Sequence, residues 1–211
     1  TAFVVNGNLW SYHPNRDKFN KVFSFDEETS DGFRENNRNY GIKILDVDKN
    51  GDIYFVVYGY MNRGSHEGNT GIAAYMYNFA SNTITELAFI PTDENYLVTK
   101  EELDKAAYIN DKKILYFYRN RSIYYLNYET KECMLLDSNV VPDTCMTSGN
   151  NVLVYQTENV DNLINIIDLK DGVKRTIQCE TNEKIRVLGF IDNNIVYGLA
   201  PEDIVTQTGK F

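Results

Sequence analysis

Basic clusters, long apolar runs and the usual catalytic side chains are scarce in this sequence of 211 residues. There are two histidines, His13 and His66, and neither has a second histidine at HExxH spacing, which excludes a zinc protease of that type. The three cysteines, Cys133, Cys145 and Cys179, are odd in number and lack CxxC or Cys/His ligand spacing. They are expected to be free, partly buried thiols. No run of about 18 apolar residues exists, so no membrane-spanning helix is expected. No basic, apolar and small-residue pattern leads the chain, so no signal peptide is expected either. The chain opens directly in strand-like sequence without an initiator methionine, as a segment of a longer protein would, with any anchor or secretion signal outside it. A net charge of −9 and a pI near 4.8 repel phosphate backbones, so nucleic acid is not an expected partner.

What is present points to a globular, all-β protein. The chain is 43% hydrophobic and 24% charged, enough to build a core without excess charge. Tyr 16 and Phe 11 against Pro 4, with abundant Ile and Val, favour pleated surfaces over helices. Four stretches repeat a pattern of apolar run, tight polar turn and second apolar run: ILDVDKNGDIYFVVY, AAYINDKKILYFY, CMTSGNNVLVYQ and VLGFIDNNIVYGL. Asn-Gly, Asn-Asp, Gly-Asn and Asp-Asn supply the positive φ of two-residue hairpin turns. A second hairpin type occurs in LWSYHPNRDKFNKVFSF, AAYMYNFASNTITELAFI, SIYYLNYETKECMLL and NLINIIDLKDGVKRTIQ, with His13, Asn78, Asn127 and Asp168 entering its turn.

The two hairpin types alternate, and the later turns recur at Ile114, Val152 and Ile195, 38 and 43 residues apart. That spacing suits a four-stranded propeller blade. The expected fold is a β-propeller of four-stranded antiparallel blades, a segment of a larger or incompletely closed ring. A partial blade would occupy 1–25, whole blades 41–90, 106–137 and 143–179, and a second partial blade 185–199. One helix is expected at 100–106, capped by Thr99 with Glu102 three residues on.

In this arrangement the short turns lie on one rim and the long connections on the other. The long ones are 26–40, 61–70, 92–104 and the tail from 200, and three of them flank the blade at 41–90. Loops longer than a scaffold needs tend to carry function. Their rim is acidic (Asp26, Glu27, Glu28, Asp31, Asp93, Glu94, Glu101, Glu102, Asp104), a pattern that is either a solvated face or a recognition surface. As a recognition surface it would grip a protein or carbohydrate through Tyr60, Asn62, Arg63, His66, Glu67 and Tyr96, with Arg34, Arg38 and Tyr40 beside them.

DVDKNGD places Asp46, Asp48, Asn50 and Asp52 at alternate positions around Gly51, like the first half of an EF-hand calcium loop. The twelfth position, where a bidentate Glu is needed, is Val57, and Asn50-Gly51 is a strong hairpin turn in its own right. Both a calcium site and a plain turn fit these residues, and no other cofactor is indicated. Support for catalysis is thin, because the candidate bases are His13, next to Pro14, and His66. A carbohydrate-active enzyme, a hydrolase or lyase, would need converging carboxylates on inner strands that are here mostly apolar or small.

The hairpins built around IYYLNYETKECMLL resemble the repeats of bacterial Tol-type and lipoprotein-receptor-like propellers, which carry Tyr or Ile-Tyr pairs before an Asp/Asn turn. GYMNRGSHEG…GIAAYMYN further resembles uncharacterised extracytoplasmic Firmicutes proteins tethered by an N-terminal membrane segment. The resemblance implies an extracytoplasmic location and a non-catalytic binding or sensing role at the cell surface, and brings no catalytic residues with it.

Overall fold

The computed structural model describes residues 1–14, 17–26, 28–29, 32–33, 37–149 and 152–201, with side chains at 28–29 and 32–33 excluded. Among the described residues the fold is all-β with one α-helix, and the chain divides into two units, 1–101 and 102–211. In the first unit, β1 (Ala2–Val5), β2 (Asn8–His13) and β3 (Lys18–Phe23) form a three-stranded antiparallel sheet. A two-residue ladder, β4 (Glu28–Thr29) with β5 (Gly32–Phe33), follows. Next comes a four-stranded sheet in sequential order: β6 (Tyr40–Val47), β7 (Ile53–Tyr60), β8 (Thr70–Asn78) and β9 (Thr83–Pro91).

The second unit repeats this plan. β10 (Ala107–Ile109), β11 (Ile114–Arg119), β12 (Ser122–Asn127) and β13 (Cys133–Asp137) make one four-stranded sheet. β14 (Met146–Ser148), β15 (Val152–Tyr155), β16 (Leu163–Asp168) and β17 (Lys174–Gln178) make another, after a single 3₁₀ turn at Pro142–Thr144. β18 (Glu183–Ile191) and β19 (Asn194–Pro201) pair as a two-stranded sheet.

Burial explains the sequence pattern. β7, IYFVVYGY, is an inner strand covered on both faces, so seven of its eight residues are buried and it reads as an unbroken apolar run. β17 is a sheet edge and carries exposed Lys174, Arg175 and Thr176, side chains that discourage further pairing. Within each unit, consecutive sheets pack face to face. Leu9, Val22 and Phe25 meet Phe55, Val57 and Ala73 in the first unit. In the second, Tyr118 and Ile123 meet Leu153, Tyr155 and Ile167. The opposite face of β15, through Val154, packs with Ile164 on Ile185 and Val187 of β18. The period-2 alternation along VLVY thus serves two cores at once.

Asparagine and aspartate set the turns. Asn78 Oδ1 accepts from Ser81 N–H at 2.9 Å, Asn127 Oδ1 from Glu129 N–H at 2.9 Å, and Asp168 Oδ1 from Lys170 N–H at 2.9 Å. His13, at the corresponding place at the end of β2, instead stacks on Phe79 with ring centroids 4.9 Å apart.

The helix departs from the sequence expectation. α1 spans Tyr96–Lys105, and its N-cap is Asn95, whose Oδ1 accepts from Leu97 N–H at 2.9 Å. Thr99 is no cap: it is buried inside the helix, its hydroxyl donating back to Asn95 O at 3.3 Å. The cysteines are free, with Cys133 exposed, Cys145 buried and Cys179 between the two.

Candidate functional site

The β7–β8 connection begins with Met61, which is buried, and Met61 N–H donates to Asn69 O at 2.9 Å while Gly68 N–H donates to Met61 O at 2.9 Å. A tighter turn closes its tip, where Glu67 N–H donates to Gly64 O and Asn69 N–H to His66 O. The segment is therefore a compact loop held by its own backbone.

Two neighbouring connections are fastened to it. Asn62 is 3% exposed, and its side chain bonds the backbone of Asn37 in both directions: Asn37 N–H donates to Oδ1 at 2.7 Å and Nδ2 donates to Asn37 O at 2.8 Å. Tyr60 N–H donates to Asn39 O, and on the other side Thr92 N–H donates to Thr70 O. At Gly59, φ is +101°, and a Cβ there would run into Asn39 O and lie 2.8 Å from Tyr96 Cβ. Glycine permits both the backbone angle and the close approach of α1. Residues 37–39, 61–69 and 92–96 thus meet at one end of the β6–β9 sheet.

Arg63, Glu67, Arg38 and Tyr96 are presented there. Arg63 and Tyr96 are half-buried, Glu67 and Arg38 are exposed, and Arg63 Nη1 donates to Asn62 O at 2.6 Å. A second polar group lies at the same end of the unit. Asn8, buried, donates from Nδ2 to Asp26 Oδ2 at 3.3 Å, and Tyr40 donates from its hydroxyl to Gly7 O at 3.3 Å. Burial pushes the Tyr40 phenol up, the Asp26 charge adds to the rise, and Arg38 opposes it. Arg34, Glu27, Asp31 and the tail beyond 201 fall outside the described residues, as does the side chain of Glu28.

His66 is used differently from its neighbours. Its ring stacks on Phe89 with centroids 3.8 Å apart and planes 10° from parallel. Its Nε2–H donates to Glu86 Oε1 at 2.8 Å, and Tyr75 donates from its hydroxyl to Glu86 Oε2 at 3.0 Å. Glu86 was not among the residues singled out from the sequence, and a β-bulge explains why. In a regular strand Glu86 and Phe89 would point to opposite faces. The register shifts between Ala74 and Tyr75, so that Glu86 opposes Tyr75 and Phe89 opposes Ala73, with one extra residue between them. The bulge turns both side chains to the face where His66 lies.

Two of the four calcium candidates, Asp48 and Asp52, spend side-chain oxygens on backbone N–H groups of the turn and its neighbour. Asp48 Oδ1 accepts from Asn50 N–H at 2.8 Å and from Asp52 N–H at 3.0 Å, while Asp52 Oδ1 accepts from Phe79 N–H at 2.7 Å. Asp46 lies in β6 opposite Tyr54. Among the described residues, no group of three or more His, Cys, Asp or Glu side chains is placed to hold a metal. No helix among them is long and apolar enough to cross a membrane.

No family model matches the chain, and no curated protein matches it. Among solved structures it is similar to a chain of the crystal structure of a mitotic checkpoint complex, at 11% identity and a TM-score of 0.33, covering 95% of this chain and 72% of that one.

Proposed function

We propose that the chain is part of a β-propeller whose four-stranded sheets are its blades, and that it acts as a non-catalytic, extracytoplasmic binding module. Sequential strand order in every sheet and face-to-face packing of consecutive sheets within each unit support the propeller reading. The resemblance of GYMNRGSHEG…GIAAYMYN to membrane-tethered extracytoplasmic proteins supports the location. The partner is a protein or carbohydrate of the cell surface, and it is met at the end of the β6–β9 sheet where residues 37–39, 61–69 and 92–96 converge.

The observation that carries this reading is the reciprocal pair of hydrogen bonds between Asn62 and Asn37. A buried side chain that fastens one connection to another holds Arg38, Arg63, Glu67 and Tyr96 in a fixed relation before any partner arrives. Preorganisation of this kind lowers the ordering cost of binding. Arginine and carboxylate hydrogen bonds beside an aromatic ring are suited to either partner class.

The test is binding of the chain to a glycan array and, in parallel, to immobilised lysozyme as a basic protein probe. Arg63→Ala combined with Glu67→Ala is expected to weaken the strongest signal at least tenfold, and Tyr96→Ala to weaken it further. Unchanged binding in the triple variant overturns the reading.

A further inference from the structure

Among the described residues, β19 is paired on one side only, with β18, whereas β7, β11 and β15, which hold the same second place in their sheets, are paired on both sides. Ile191 pairs with Asn194 across the two-residue turn Asp192-Asn193, so these two residues exchange both main-chain hydrogen bonds. Alternation from there turns the main-chain groups of Val196, Gly198 and Ala200 toward β18 and those of Ile195, Tyr197 and Leu199 toward the open edge. The extra residue of the bulge, Leu188, lies in β18 and leaves the alternation along β19 intact. Pro201 falls in the outward series, where its missing N–H costs no bond to β18.

Sheet edges are guarded against further pairing by charge, brevity or proline. Among the described residues, every other edge strand longer than four residues carries a charged side chain: Lys18 in β3, Lys43 in β6, Glu86 in β9, Asp137 in β13, Lys174 in β17 and Arg186 in β18. β19, NIVYGLAP, carries none over its eight residues. Ile195, Tyr197 and Leu199 share one of its faces, and Tyr197 and Leu199 are 42% and 51% exposed. Tyr197 and Leu199 border a groove of about 560 Å³ whose other side is Ile177 near the end of β17. The lining of this groove includes two carboxylates, Glu180 and Glu183, and no lysine or arginine among the described residues.

We infer that this edge takes up an extended peptide strand from a partner protein, apolar at alternate positions and basic at its N-terminal end. Laid antiparallel on β19, as β8, β12 and β16 are on the strands before them, the peptide bonds the main chain of Ile195, Tyr197 and Leu199. The peptide residues opposite these three point into the groove, which calls for apolar side chains there. The N-terminal end of the peptide then lies beside Pro201, which pairs with Glu183, so a lysine or arginine at that end meets the carboxylates of Glu183 and Glu180. A second copy of the chain does not fit this edge. Joining β19 to its counterpart would set two β14–β17 sheets against one face of the joined sheet, where β17 already borders the space beside the added strand. Two chains of net charge −9 would also repel each other. The site is independent of the one proposed for the first unit.

Calorimetric titration of the chain with acetylated and amidated heptapeptides tests the inference. The first is a lysine followed by alternating threonine and valine, which sets lysine opposite Pro201 and the valines opposite Leu199, Tyr197 and Ile195. The second has glutamate for the lysine, and the third has proline for the middle valine. The lysine peptide is expected to saturate the protein, the glutamate peptide to bind about fivefold more weakly, and the proline peptide not to bind. Leu199→Pro, which removes one outward N–H, should abolish binding of the lysine peptide with an unchanged far-UV circular dichroism spectrum. Glu180→Gln combined with Glu183→Gln should level the lysine and glutamate peptides. Absence of saturation by the lysine peptide overturns the proposal, as does equal binding of the proline peptide or equal binding of the lysine and glutamate peptides. A dimer in light scattering that Leu199→Pro dissociates would give the edge to a second copy and overturn it as well. The comparison among peptides needs no variant, so it decides the matter even where a substitution unfolds the protein.

Discussion

His66 lies flat on Phe89, with ring centroids 3.8 Å apart, and the same imidazole donates to Glu86 at 2.8 Å. A loop residue thereby grips the outer strand of the sheet through one stacked contact and one charge-assisted hydrogen bond. The side chains of His66 and Glu86 are 26% and 32% exposed, so solvent weakens the polar contact without abolishing it. A double-mutant cycle of His66→Ala and Glu86→Ala, read by denaturant unfolding, is expected to give a coupling of about 0.5–1 kcal/mol. His66→Ala should also speed amide exchange at 62–69 well before the rest of the unit. Strict additivity of the two substitutions would mean the pair is not formed in solution.

Gly71 makes room for that stack. A Cβ on Gly71 would lie 2.5 Å from Phe89 Cζ and 2.7 Å from Ile90 O, so Gly71→Ala must displace the ring on which His66 rests. A cost of about 1–3 kcal/mol is expected from this overpacking. Adding Phe89→Leu should recover part of it, because a smaller side chain relieves the clash. Full additivity of Gly71→Ala and Phe89→Leu would place the strain elsewhere.

The turns were legible in the sequence because they are local: Asn78, Asn127 and Asp168 accept hydrogen bonds from residues two or three positions on, a preference carried by the residue type itself. Inner strands such as β7 were legible as apolar runs for the same reason. The helix start is ambiguous in the sequence because Asn95 and Thr99 are both of cap-forming residue types, and only tertiary burial of Thr99 decides between them. At the site, Arg63, Asn62 and Tyr60 could be placed together by counting strands. Glu86 could not, because an inserted residue in β9 changes which face it occupies, and alternation alone does not reveal a bulge.

One buried phenol and one half-buried phenol predict the alkaline limit of stability. The pKa values of Tyr75 and Tyr155 are both raised above the ordinary phenol value of 10.0, chiefly by burial, with the carboxylates of Glu86 and Asp137 adding to the rise. A raised pKa means that the folded state keeps a proton that the unfolded chain releases. The contribution is fully present below pH 10 and is lost as pH climbs from there toward the folded-state values. Unfolding free energy should therefore fall above about pH 10, and absorbance at 295 nm should show these tyrosines ionising together with unfolding. Tyr155→Phe loses its hydrogen bond to Asp137, about 1 kcal/mol at neutral pH, and should flatten the alkaline decline. An unchanged slope in that variant would remove Tyr155 as its cause.

Two of the three thiols should separate by reactivity. Cys145 is 5% exposed in the core shared by β11 and β15, and burial pushes its pKa up to about 12, with Lys105 opposing the rise. The thiolate is the reacting species, so Cys145 is protected both by lack of access and by the scarcity of its ionised form. Cys133 is exposed on β13; partial burial raises its thiol pKa too, with Arg119 opposing the rise, but the side chain stays open to reagent. Iodoacetamide at pH 8, followed by mass spectrometry of peptides, should label Cys133 in the native chain and Cys145 only at the rate of unfolding. Adding denaturant to the midpoint of the transition should bring Cys145 labelling close to that of Cys133. Equal native labelling of the two would show that the interface between these sheets opens locally, and that the cluster of Tyr118, Cys145 and Tyr155 is not a closed core.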